Sequence, residues 1–161
     1  VVFIEHKMLY GQMGEVPEDE LVIPLGQADI KVTGSDITIV CLSRMVSFSI
    51  EAAELLKSDN LHAEVVALRT LVPLDMETVI QSVKKTHRLI VVQEASSAFG
   101  WGAELIARVQ SEAFDELDAP IGRVAAEDVP IPYNRALEKE TLPQVRDIVD
   151  AVKLAVYPLG Q

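Results

Sequence analysis

The sequence predicts an α/β domain in which a mostly parallel sheet carries helices on both faces. Three observations support that reading. β-Branched, largely apolar runs recur at 37–42, 63–68 and 88–92, as expected for strands covered on both sides. Longer segments with apolar residues at helical spacing lie between them. The links are short, and short-linked strand–helix alternation implies crossover connections rather than hairpins.

In chain order, Val1-Val2-Phe3-Ile4-Glu5-His6-Lys7 reads as a buried strand flush with the first residue. The chain is therefore expected to be a piece of a longer protein or a proteolytic product. Residues 10–20 are acidic, punctuated by Gly and Pro and without apolar period, so they read as a surface connection. From Gly26 the alternation is regular. Residues 28–32 form a short strand that ends at Thr33-Gly34-Ser35-Asp36, and 37–42 is a strand buried on both faces. A helix over 46–57 places Ile50, Ala53 and Leu56 on one stripe, and 63–68 is the second core strand. Asp75 is a natural N-cap for the next helix, because its carboxylate can accept the free N–H groups of the first turn. Glu77 suits the positive end of that helix, and Lys84 and Lys85 its negative end. The strand 88–92 leads through Gln93-Glu94-Ala95-Ser96-Ser97 to a helix over 101–114. A short strand at 121–125, a Pro-rich loop and a helix over 145–156 complete the chain. There is no internal repeat and no low-complexity segment.

At 161 residues and 17.6 kDa the chain makes one domain, or one domain with a short extension. With 49% apolar residues, 24% charged and a mean hydropathy of +0.23, it can bury a core and is not globally disordered. The net charge of −11 argues against nucleic acid, whose phosphates need clustered positive charge, and against anionic membrane surfaces. A basic protein partner remains compatible. No apolar run approaches the ~20 residues that span a bilayer, and the first residues lack the marks of a signal peptide. The single cysteine, Cys41, cannot form an internal disulfide, so the chain reads as intracellular.

The residues offer little self-contained chemistry. Gly100-Trp101-Gly102 precedes a helix, but a dinucleotide fingerprint needs a third glycine where Leu105 stands. The two glycines read as structural, allowing close backbone approach. There is no phosphate-binding Gly-x-x-x-x-Gly-Lys-Ser/Thr loop and no Gly-x-Ser-x-Gly elbow. His6, His62 and His87 lack metal-ligand spacing. Cys41 falls inside a buried strand, where a thiol packs as a small hydrophobe rather than reacting.

Several segments nevertheless resemble one family. Glu64-Val65-Val66-Ala67-Leu68-Arg69-Thr70-Leu71-Val72-Pro73-Leu74-Asp75 is similar to the Glu-Val-Ile-Asp-Leu-Arg-Thr-Leu-x-Pro-Leu-Asp signature of the beta subunits of 2-oxo acid dehydrogenases. Glu5-His6-Lys7 with Tyr10, Ile23-Pro24-Leu25-Gly26, Ser82-Val83-Lys84-Lys85-Thr86, and Glu112-Ala113-Phe114 through Leu117-Asp118-Ala119-Pro120 follow in the family's order. Asp128-Val129-Pro130 with Pro132-Tyr133, and Leu142-Pro143, do so as well. Within the family the texture of 128–133 and 142–148 is most similar to the pyruvate-specific branch; branched-chain and acetoin-specific relatives, and a free-standing α/β binding module, stay open as alternatives. Ala67 departs from the usual Asp, Gln93-Glu94-Ala95-Ser96-Ser97 departs from a common His-Glu-Ala-Pro, and Pro158-Leu159-Gly160-Gln161 runs past the usual end.

The resemblance implies a transketolase C-terminal-like domain, a three-layer α/β/α structure around a mixed five-stranded sheet, over 26–161. Residues 1–25 would be the end of a preceding domain and a linker. It implies a parent enzyme that uses thiamine diphosphate and magnesium, is built as an α2β2 heterotetramer, and docks on a dihydrolipoamide acyltransferase core in bacterial cytoplasm or mitochondrial matrix. The family's catalytic glutamate and its Gly-Asp-Gly metal motif have no match here, so no catalytic, cofactor-binding or metal residue is expected. The resemblance assigns Asp118 to docking, against a Lys or Arg of the core's subunit-binding domain. Asp115 and Glu112 join it by helical spacing alone. Phe99, Gly100, Trp101 and Gly102 are expected at a contact with a second beta subunit.

Overall fold

A computed structural model describes residues 1–157. The strands are β1 (Asp29–Val32), β2 (Ile37–Leu42), β3 (Ala63–Leu68), β4 (Leu89–Ser96) and β5 (Gly122–Ala126). The helices are α1 (Met45–Leu56), α2 (Met76–Thr86), α3 (Trp101–Ala113), α4 (Arg135–Thr141) and α5 (Val145–Val156). The strands form one sheet in the order β1-β3-β2-β4-β5, with β1 antiparallel to β3 and the other neighbours parallel. The expected mixed five-stranded α/β architecture is present.

Alternation along the strands divides the core in two. Ile37, Ile39 and Cys41 of β2 join Ala63 and Val65 of β3 and Ile90 and Val92 of β4 beneath α1 and α5. Val40, Val66, Leu68, Leu89 and Val91 point the other way, beneath α2 and α3. Side chains two apart share a face of a strand, so one continuous apolar run supplies both layers. A polar cluster interrupts the second layer. Thr38 hydrogen-bonds the hydroxyls of Ser82 and Thr86, each at 2.7 Å. Ser82 donates to Glu64 Oε1 at 2.6 Å. Glu64, whose side chain is only 2% exposed, is matched by the Lys85 ammonium on Oε2. Lys85 thus reaches from the surface to pair with a buried carboxylate, in addition to its place near the helix C-terminus.

The stretch that carries the family signature has a structural task. Asp75 caps α2, with Thr78 N–H donating to Oδ1 at 3.1 Å and the Thr78 hydroxyl to Oδ2 at 2.7 Å. Asp75 Oδ2 also accepts the N–H of Ala28 at 2.7 Å. Burial pushes the Asp75 carboxyl up, but the hydrogen bonds from Ala28 and Thr78 outweigh it and hold it below the usual carboxylate range. Thr70 Oγ1 accepts from Gly26 N–H at 3.0 Å and donates to Pro73 O at 2.6 Å. Arg69 reaches Asp29 at 2.8 Å. Gly26 sits at φ +78°, where a Cβ would stand 2.9 Å from Pro73 Cγ. The signature therefore fastens the entering chain to the sheet.

The fold corrects three expectations from sequence. Val1 to Ile4 are exposed and form no strand, because a β-branched run becomes a strand only where an edge takes its backbone groups. The Pro-rich loop contains α4, whose N-cap Asn134 accepts from the N–H groups of Ala136 and Leu137. β4 also continues through Ser96 rather than ending near 92. The segment Pro158-Leu159-Gly160-Gln161 lies outside the described residues.

Asp75→Ala should lower the unfolding free energy by about 1–2 kcal/mol, the scale of a lost N-cap, with a larger share returned by Asp75→Asn. Urea unfolding measures both; equal stability of Asp75→Ala and the parent would remove the capping role.

Candidate functional site

Three places on the fold could serve a ligand or a partner. The first is the crevice between the carboxyl ends of β2 and β4. The helices that follow these neighbouring strands, α1 and α3, lie on opposite faces, and open α/β sheets bind ligands at such switch points. Here the chain's own residues occupy it. Glu94 accepts from Arg44 Nη1 at 3.1 Å and faces His6 Nε2 at 2.8 Å. His6 Nδ1 accepts the N–H of Met8 at 3.1 Å, so the ring hydrogen sits on Nε2 and is donated to Glu94. The Arg44 guanidinium also lies 5.0 Å from the Phe48 ring centroid. Sequence spacing gave no sign of this meeting, since residues 6, 44 and 94 converge only through the fold.

The second place is the loop after β4. Asp128 clamps it, accepting from Ala98 N–H at 3.0 Å, from the Ser96 hydroxyl and from the Ser97 hydroxyl at 2.7 Å. These bonds, Ala98 foremost, hold the Asp128 carboxyl down at about 2. Beyond the clamp Phe99 is fully exposed at φ +55°, a conformation unusual for a bulky residue. Trp101 is half-buried and packs on the α2/α3 side of the core. Gly100 and Gly102 make room for the buried Gln93, whose Oε1 accepts from Gly102 N–H at 2.8 Å and whose Nε2 donates to Ser96 O at 2.6 Å. A Cβ on Gly102 would come within 2.6 Å of Gln93 Oε1 and 2.8 Å of Val91 Cγ1. Of the four residues expected at a subunit contact, Phe99 faces outward, Trp101 is shared with the core, and the glycines serve an internal contact. Asp128 was visible in the sequence only as part of a resemblance motif.

The third place is the segment from the end of α3 to Asp118. Glu112 is exposed and pairs with Arg108 at 3.5 Å. Asp115 is exposed on the 3-10 turn Phe114–Glu116, beside an exposed Phe114. Asp118 follows, with its N–H donated to His87 O at 2.9 Å. His87, at φ +58°, closes α2, and its Nδ1 lies 2.9 Å from Glu116 O. A carbonyl only accepts, so that nitrogen carries a hydrogen.

Elsewhere Cys41 is buried and its thiol is pushed up to about 12 by burial, which leaves it unreactive near neutral pH. Among the described residues no three His, Cys, Asp or Glu side chains gather where a metal ion could be held. No described helix is long and apolar enough to cross a membrane.

Comparison with known proteins identifies the domain. The family model described as "Transketolase, C-terminal domain" matches residues 26–148. This chain belongs to that family. Within it the chain is similar to proteins named pyruvate dehydrogenase E1 component subunit beta. It is 48% identical to that of Porphyra purpurea over 95% of this chain and 46% of the relative. It is 47% identical to that of Rickettsia felis over 98% and 48%. A mitochondrial relative from Oryza sativa is 43% identical over 98% and 43%. The chain thus spans just under half the length of these relatives. Among solved structures, a split-gene transketolase, an inactive beta4 tetramer, superposes with a TM-score of 0.75 at 28% identity, over 89% of this chain and 45% of that one. Transketolase from Pichia stipitis, at 16% identity and TM-score 0.56 over 81% and 18%, shares the fold.

Two outcomes follow for this transketolase C-terminal domain. The Asp128 carboxyl is held low in the fold, so its clamp is complete above the ordinary carboxylate range and is lost as pH falls from near 3.8 through about 2. Hydrogen exchange should show weaker protection of the Ala98 amide in Asp128→Asn at neutral pH, with little change in the strands; unchanged protection would remove the clamp. Gly102→Ala should destabilise the domain by about 1–3 kcal/mol through crowding at Gln93. That loss should appear in unfolding melts at every protein concentration, whereas a contact between copies would make it concentration-dependent.

Proposed function

We propose that the chain is the C-terminal part of a pyruvate dehydrogenase E1 beta subunit and serves subunit assembly and docking. The observation that supports this is identity of 43–48% to proteins of that name over 95–98% of its length. On this reading residues 1–25 are the end of a preceding domain and a linker, and 26–161 the assembly domain. The parent enzyme is an α2β2 heterotetramer that decarboxylates pyruvate with thiamine diphosphate and passes an acetyl group to lipoyl chains. Its compartment is bacterial cytoplasm or mitochondrial matrix.

Thiamine diphosphate, held with magnesium, supplies the carbanion chemistry of that reaction. We assign its holding to other parts of the enzyme and not to residues of this chain, whose sequence has no Gly-Asp-Gly. No step of the reaction is therefore assigned to them. What they supply is surface. Phe99, held outward by a clamped loop, gives an apolar contact for the second beta subunit, with Trp101 behind it and Gly100 and Gly102 fixing the turn. Asp118, with Asp115 and Glu112 along the same segment, offers carboxylates to a Lys or Arg on the subunit-binding domain of dihydrolipoamide acetyltransferase. Exposed charge of this kind raises association rates and is screened by salt, with a Debye length of about 10 Å at 0.1 M.

In the intact heterotetramer, Asp118→Asn should weaken capture of that subunit-binding domain by on the order of 2–5 kcal/mol if the pair is desolvated, and should flatten the dependence on ionic strength. Equal affinities with parallel salt slopes would reduce the acidic segment to solvated surface. Calorimetric titration of this chain alone with thiamine diphosphate and magnesium should give no saturable binding. Micromolar saturation would contradict the assignment of cofactor binding to other parts of the enzyme.

A further inference from the structure

The docking segment has a cation of its own. Arg88 follows the left-handed His87, and its side chain is 29% exposed against 60% for Asp118. Its Nε is buried without a hydrogen-bond partner, while Nη2 stands 3.9 Å from Asp118 Oδ2. That separation is too long for a hydrogen bond, so the guanidinium does not lock the carboxylate in place. What is pinned is the main chain that carries it, through Asp118 N–H on His87 O and the His87 side-chain Nδ1 on Glu116 O. The result is a carboxylate presented by its main chain with a positive charge fixed beside it by a largely buried stem.

We propose that Arg88 is a built-in guard of the docking acid Asp118, a resident guanidinium against whose like charge a partner's Lys or Arg must approach. The inference rests on the docking reading given above. A cation seated on Asp118 lies well within a Debye length of Arg88, and no alternative anion holds Arg88 away among the ion pairs of the described residues. The guard slows and weakens capture of any cationic segment. It thereby favours partners that bring further contacts, such as apolar packing on the exposed Phe114, over stray basic peptides.

The test is binding kinetics of the intact α2β2 heterotetramer with the acetyltransferase subunit-binding domain, across an ionic-strength series, for wild type, Arg88→Gln, Arg88→Lys and Asp118→Asn. Arg88→Gln should bind about two- to fivefold more tightly at low salt, the scale of one exposed charge interaction. The gain should lie in the association rate and vanish at high salt, and Arg88→Lys should behave as wild type. A role in holding the fold would not raise the association rate. Should Arg88→Gln fail to assemble, Arg88→Met fills the same buried space and carries the same comparison. Affinity equal to or below wild type in the neutral variant, with Asp118→Asn weakened, overturns the guard alone. Wild-type affinity in Asp118→Asn overturns the docking reading and the guard with it.

Discussion

β2, β3 and the first five residues of β4 have almost no residue that water can reach, and that burial on two sides governs the rest of the molecule. A strand covered on one face can leave the other polar; these cannot, so each must be roofed twice. The chain meets the demand by sending α1 and α5 to one face and α2 and α3 to the other. Parallel neighbours also require the connections from β2 to β3, β3 to β4 and β4 to β5 to travel back over the sheet. The loops that remain at the carboxyl ends of the strands are where Arg44, Glu94, the 96–102 turn and Asp128 collect. Freedom to vary is left to the segments that roof nothing.

The same burial explains the cost attached to Glu64. A carboxylate in the α2 layer is tolerable only with its lone pairs met, and Ser82, Lys85 and a long contact from Gly34 N–H at 3.4 Å meet them. Together with Thr38 and Thr86, these groups give α2 a directional contact that apolar packing alone would not supply. Asp75 fixes the other end of α2 and the entering chain at once. The helix is therefore set at both ends by acids, one buried and one capping.

Much of this was legible in the residues. The runs 37–42 and 63–68 show their two-sided burial by composition, and Asp75 announces the start of α2 because a cap is a local device. The misses are contacts that sequence distance hides. Val1 to Ile4 have strand propensity but no edge to pair with. α4 is seven residues long between prolines, too short for an apolar period. Glu94 reads as one acid among many until Arg44 and His6 arrive beside it. His87 reads as a polar residue flanking a strand, and it becomes the brace of the 116–118 segment only because the fold brings residues 87 and 118 together. Residue type was informative wherever the physics was local, and silent where two distant side chains had to meet.

The chain has one cysteine and one tryptophan, and the sheet separates their environments. Cys41 lies sealed on the side of α1 and α5, and Trp101 rests against the opposite layer. Each half of the core thus holds a single natural reporter. Thiol labelling registers opening of the first layer, because a reagent reaches Cys41 only when that layer parts. Indole emission registers loosening of the second. Coincidence of the two signals would show that the sheet makes its layers one cooperative unit, and divergence would show which layer yields first.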